Sequence, residues 1–141
     1  MESIYEPIIN IVKQCKKENI LVAAKCGATI RLVQNGLLDL KWHTSNDFEY
    51  LKMMYPDYKG EKYYQNEPAV TDGKLITASG MAPLEFAVYV LIALGVFLPI
   101  TLDIWYKLYE TNEAKYFHEL MIQYNKNVVF NILSYFESKF L

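Results

Sequence analysis

Between Ile20 and Ala24 the chain reads ILVAA, five apolar residues in a row with no polar alternation, and helical periodicity lies on either side of it. A strand that shows neither face to water reads this way, because parallel sheets are covered by helices on both sides. Upstream, Ile4, Ile8, Ile9, Ile11 and Val12 recur near helical spacing and predict a helix from Ser3 to Lys17. Downstream, Ala28, Ile30, Leu32 and Val33 return to that spacing and stop at Asn35-Gly36, a usual C-terminal signal. Helix, strand and helix in succession indicate an α/β layered domain with ILVAA as a central strand.

The segment LLDLKWHTSN predicts a brief strand leading into a loop, and Asn46 with Glu49 three residues on has the pattern of a capping box for the helix DFEYLKMMY, which Pro56 ends. EPAVTDGKLITAS holds two β-prone runs joined at Asp72-Gly73, the strongest short hairpin signal in the chain. In SGMAPLEFAVYVLIALG, Pro83 suits a first helical turn, Glu85 the positive end of the helix dipole, and Gly95 the position past the end. That helix is apolar nearly all round, which predicts burial. Beyond Pro99 helical spacing continues through Ile104, Trp105 and Leu108, then Phe117, Leu120, Met121, Tyr124, Val128, Ile132, Phe136 and Phe140. The organisation expected is one domain, an α/β core over residues 1–97 with a helical extension over 98–141.

Charge narrows the function classes. At 141 residues, net charge −2 and pI near 5.7, the chain offers no electrostatic reason to bind nucleic acid. Phe86 to Leu102 carries no charge over seventeen residues, but Gly95 and Pro99 interrupt it and a span needs about 20 apolar residues. A helix followed by a turn is expected there, not a membrane span. Two cysteines, Cys15 and Cys26, without a secretory signal, fit free thiols in a reducing cytoplasm. No pattern implies a metal or a cofactor.

Cys26 falls between the strand and the second helix, with Gly27 directly behind it. A nucleophile on a tight strand-to-helix turn stands clear of the sheet while the N–H groups of the following helix point at it. The helix dipole favours the thiolate, and the Gly27 N–H is the natural oxyanion donor. From the residues alone, a cysteine between a strand and a helix is more often a small buried hydrophobe.

The segments VAAKCGATIRLVQNGLLDLKWHTSN, YKGEKYYQNEPAVTDGKLITASGMAPLEFA and WYKLYE resemble the ThiJ/PfpI family of the class I glutamine amidotransferase-like superfamily, over about Ile8 to Tyr109. The resemblance implies a flavodoxin-like three-layer sandwich, Cys26 as nucleophile at the elbow, and frequent dimerisation. It implies cysteine-dependent hydrolase, glyoxalase-type or oxidative-stress-sensing activity on small carbonyl or acyl substrates. His43, in WHTSN, falls where family members often carry the histidine that partners the cysteine, and an imidazole in reach of the thiol could take its proton. A backbone-bonded loop histidine is the other reading. His118, in the tail helix, reads as surface or packing, and Cys15 as a bystander.

Two departures from the family pattern matter. SGMAPLEFA has no histidine where glutaminases of the superfamily place a His-x-Glu pair, so glutamine hydrolysis is not expected. The family's first β-α-β unit, which supplies a glutamate to the elbow cysteine, is absent from this chain, and Glu67 in NEPAV reads as a loop charge more readily than as its substitute. Without that unit ILVAA exposes an unpaired apolar edge, for which a second copy of the chain or a partner fragment is the expected cover. The competing reading is therefore a truncated, non-catalytic binding module.

Overall fold

The computed structural model describes residues 4–126, and the chain divides into two compact units on either side of the Leu94–Gly95 bond. The tail positions Val128, Ile132, Phe136 and Phe140 lie outside the described residues.

In the first unit, α1 (Glu6–Lys17) starts with Pro7 in its first turn, has Glu6 at the positive end of its dipole and Lys16 and Lys17 at the negative end. It begins at Glu6, later than the periodicity suggests, because proline is pre-organised for a first helical turn. Then come β1 (Val22–Lys25) and α2 (Gly27–Gln34), which ends at Asn35 followed by Gly36 in the left-handed region, as the sequence signals. Helix α3 (Phe48–Met54) is capped by Asp47, whose carboxylate accepts from the Tyr50 N–H at 2.7 Å. The cap is thus Asp47 and not Asn46. The strand expected near Trp42 shrinks to one parallel bridge between His43 and Tyr64.

Strands β2 (Ala69–Asp72) and β3 (Leu75–Ala78) form the expected hairpin, turning through Gly73 at φ 62° and Lys74. Asp72 ties this turn to the loop before His43, accepting from the Lys41 Nζ and the Trp42 N–H, both at 2.9 Å. β1 pairs parallel with β3, giving the order β1-β3-β2. The strand expected to be central is therefore an edge strand, with its outer side unpaired among the described residues.

Side chains alternate across the sheet. Ala24 joins a core with Ile9 of α1, Ile30, Leu32 and Val33 of α2, and Leu38 and Leu51. Leu21, on the other face, shares a cleft with Tyr89, Ile92 and Ala93 of α4 (Pro83–Leu94). Helices α1 and α2 thus cover one face and α4 the other, the three layers of a flavodoxin-like sandwich. The expected burial of α4 is not observed. It packs along β2 and β3, yet none of its residues is fully buried, because a three-stranded sheet covers only one side of an all-round apolar helix.

In the second unit, the apolar run breaks at Gly95 (φ 62°) and helix resumes as α5 (Pro99–Thr111), which ends on Asn112 in the left-handed region. Residues 114–126 are also helical. No helix among the described residues is long and apolar enough to cross a membrane.

Candidate active site

The turn from β1 to α2 is made by Cys26 itself, at φ 58° and ψ −128°. This is the left-handed half of the backbone map, where a side chain is strained and which functional corners recurrently occupy. Hydrogen bonds over-determine the corner. The Cys26 N–H donates to the Ala78 carbonyl at 3.1 Å, and the Cys26 carbonyl accepts from the Thr29 N–H at 3.0 Å and the Thr29 hydroxyl at 2.6 Å. With the Thr29 proton so committed, Ser45 Oγ donates to Thr29 Oγ1 at 2.7 Å.

The corner leaves Cys26 exposed, so it is not a small buried hydrophobe. Asn46 donates from Nδ2 to Sγ at 3.4 Å, and its Oδ1 accepts from the Gly80 N–H at 2.7 Å. The Asn46 amide, the Gly27 N–H and the charge of Lys25 together hold the Cys26 thiol below its ordinary pKa, against a smaller opposing effect of desolvation. Gly80 closes the corner from β3. A Cβ there would sit 2.9 Å from Cys26 Sγ and 3.0 Å from Asn46 Oδ1, so only glycine lets the two strands' ends approach this closely.

On the far side of Asn46 opens a cleft of about 330 Å³, lined by Thr44, Ser45, Asn46, Glu67, Ser79 and Glu85, among others, but not by Cys26. Its walls offer hydroxyls, amides and carboxylates. Glu67 reaches it from an exposed loop, and its backbone carbonyl accepts from the Thr44 hydroxyl at 2.7 Å. The described side-chain hydrogen bond to Sγ comes from Asn46, so Glu67 does not stand in for the family glutamate.

His43 is corrected from its expected place beside the thiol. It is wholly buried, with Nδ1–H donating to the Lys41 carbonyl and Nε2 accepting from the Tyr58 hydroxyl. A carbonyl can only accept, which assigns this tautomer. Both nitrogens are committed away from Sγ. Burial pushes the imidazole below its ordinary 6.5, partly offset by the Lys41 carbonyl and Asp39, and desolvation pushes the Tyr58 hydroxyl well up. The residue that reaches Cys26 is the one three positions on.

The remaining candidates stand apart. Cys15 is half-buried in α1, and His118 is exposed in the helix of residues 114–126, its ring against Phe117. Asn46 is the site residue that the sequence reading placed in a different role. Its signal is the pair Asn46-Asp47, two residues that both suit a cap where the helix needs one.

An α/β sandwich on a mixed sheet, with an exposed cysteine at a strand-to-helix corner, defines a class of flavodoxin-like proteins. The DJ-1/PfpI family model matches residues 3–93, and the chain belongs to that family. It is 50% identical over 125 residues to the "uncharacterized protease YoaZ" of Bacillus subtilis (strain 168), covering 89% of this chain and 60% of that one. It is 43% identical over 79 residues to the "uncharacterized protease YdeA" of the same organism, covering 56% and 40%. Among solved structures, a ThiJ/PfpI family protein from Bacillus anthracis superimposes with TM-score 0.80 at 50% identity, over 85% of this chain and 57% of that one. A DJ-1 superfamily protein from Agrobacterium tumefaciens, Atu0886, gives 0.60 at 39% identity, over 68% and 53%. The chain thus spans about 60% or less of the length of these relatives.

Proposed function

We propose that the chain is a cysteine-dependent hydrolase of DJ-1/PfpI type, with Cys26 as nucleophile toward small carbonyl or acyl compounds. One observation carries the reading: an exposed thiol on a strained corner, met by the Gly27 N–H and the Asn46 amide. In an acyl transfer the Cys26 thiolate forms a C–S bond to the carbonyl carbon, and the carbonyl oxygen takes up the charge. The Gly27 N–H, no longer needed by the bonded sulfur, turns to that oxygen. Collapse expels the leaving group, which takes a proton from a water molecule, and the hydroxide so formed attacks the thioester, releasing the acid and restoring the Cys26 thiolate. YoaZ and YdeA are each named an uncharacterized protease, and cleavage of a peptide bond is itself an acyl hydrolysis.

The test is hydrolysis of p-nitrophenyl acetate, with peptide mapping of the quenched reaction. An acetylated Cys26 peptide in the wild type and loss of turnover in Cys26→Ser support the reading. Turnover retained in Cys26→Ser refutes it.

A second reading is favoured by the unpaired edge of β1 and by the exposure of Ile92 and Leu94 on α4. In it the chain is a non-catalytic module that completes its sheet with a second copy or a partner fragment. Light scattering that finds a monodisperse monomer counts against that pairing.

A further inference from the structure

We propose that Asn46 is the positioning residue of the Cys26 thiolate, held by the Gly80 N–H so that its amide can only donate to sulfur. The inference rests on Cys26 being the nucleophile and adds what activates it: an uncharged hydrogen-bond donor instead of a histidine.

The orientation of the amide follows from chemistry. Were it flipped, its NH₂ would face the Gly80 N–H, donor against donor, at the 2.7 Å now spanned by a good hydrogen bond. With Oδ1 fixed on Gly80, Nδ2 is left directed at Sγ. The missing Cβ of Gly80 is a second, independent sign of the same construction. A methyl group there would strike Sγ, Asn46 Oδ1 and Cys26 Cβ, the three atoms whose arrangement is at stake. Asn46 is free for this work because Asp47 caps α3. Its backbone is held in place by its neighbours, Thr44 N–H donating to Thr77 Oγ1 and Ser45 Oγ to Thr29 Oγ1.

An amide does not titrate, so the thiol of Cys26 ionises alone. The charged group acting on it is Lys25 on β1, whose cation favours the thiolate; Glu67 and Glu85 line the cleft that Asn46 shares. His43 is committed to Lys41 and Tyr58. The rate of thiol alkylation against pH should therefore follow one ionisation, without the second limb that an imidazole partner adds.

The experiment is iodoacetamide labelling of the whole chain from pH 5.5 to 9, with Cys26 and Cys15 quantified separately by mass spectrometry. Asn46→Asp is the decisive variant, since it is nearly isosteric and keeps an oxygen on the Gly80 N–H while replacing the donor to sulfur with an acceptor. Asn46→Ala is its companion, and urea unfolding verifies that both fold. The proposal expects a single-ionisation profile for wild-type Cys26, a midpoint moved to higher pH in both variants, and labelling at pH 6.5 slowed about fivefold or more. A folded Asn46→Asp that labels with the wild-type profile overturns the proposal and leaves the Cys26 reading standing. A wild type in which Cys26 labels no faster than Cys15 overturns both.

Discussion

Tyr58→Phe removes one oxygen atom and separates two roles for His43. In the wild type the Tyr58 hydroxyl donates to His43 Nε2, inside a site where the imidazole is 0% exposed. Without that hydroxyl the nitrogen keeps its lone pair, has no donor, and water does not reach it. An orphaned buried acceptor costs about 1–3 kcal/mol, and at roughly 3 °C per kcal/mol for a chain near this size the melting temperature should fall about 3–9 °C. The pH dependence has a definite sign. His43 is held below its ordinary 6.5 by burial, so between the two values the unfolded chain binds the proton and the folded chain does not. Stability from this group is complete above pH 6.5 and declines as pH falls below it, at a slope that cannot exceed about 1.4 kcal/mol per pH unit. Calorimetry at pH 7.5 and 5.5 measures both effects, with His43→Gln as the variant that loses this part of the slope. Cys26 labelling at pH 6.5 should stay within about twofold of wild type in a folded His43→Gln, as expected of a residue that does not exchange protons with the thiol. The reasoning is refuted if Tyr58→Phe melts with the wild type, or if His43→Gln keeps its stability and loses Cys26 reactivity, since that outcome restores the histidine to catalysis.

Two further substitutions test the corner and the packing beneath it. Cys26→Gly should melt above Cys26→Ala, because glycine takes φ 58° and ψ −128° without a Cβ penalty and both lack the thiol. Calorimetry of the pair decides it, and an equal or lower melting temperature for the glycine variant removes the strain argument. Gly60→Ala should lower stability by about 1–3 kcal/mol in urea unfolding, although its φ of −84° suits any residue, because the new Cβ would meet the Leu38 carbonyl at 2.7 Å and the Tyr58 ring at 2.8 Å. A neutral result there would mean that the Tyr58–His43 pair has room to shift.

What could be read from the chain divides by range. Periodicity around Ile9 and around Ile30 to Val33, the Asn35-Gly36 stop and the Asp72-Gly73 turn are local signals, and each produced its element. The corner at Cys26 was legible for the same reason, since a strand run, one residue and a helix run leave little choice of where the chain turns. His43 and Asn46 depend on how an irregular segment lies against two others. They stand three positions apart, and nothing in WHTSN says which one meets the sulfur. Asn46 followed by Glu49 satisfies the capping rule as well as Asp47 does, so the rule alone could not release Asn46 for the thiol. Burial of α4 failed differently. Composition states that a helix prefers to be covered, while the amount of sheet available to cover it is a property of the other strands.

The corner and its amide partner share one cause, a seam of hydroxyl groups beneath them. Thr29, Thr44, Ser45 and Thr77 are all buried, and each has a partner: Thr29 with the Cys26 carbonyl and Ser45, Thr44 with Thr77 and the Glu67 carbonyl. A buried hydroxyl without a partner costs more than a mispacked methyl group, so these residues admit few alternative registers of the 43–46 segment against α2 and β3. A shift of an ångström in that register is enough to carry Nδ2 of Asn46, now 3.4 Å from Sγ, out of reach of sulfur. The hydroxyl seam thus adds directional bonds to the packing beneath this site. It fixes the distance between two chain segments that are remote in sequence, and it transmits that constraint to a strained residue whose thiol gains nothing from burial.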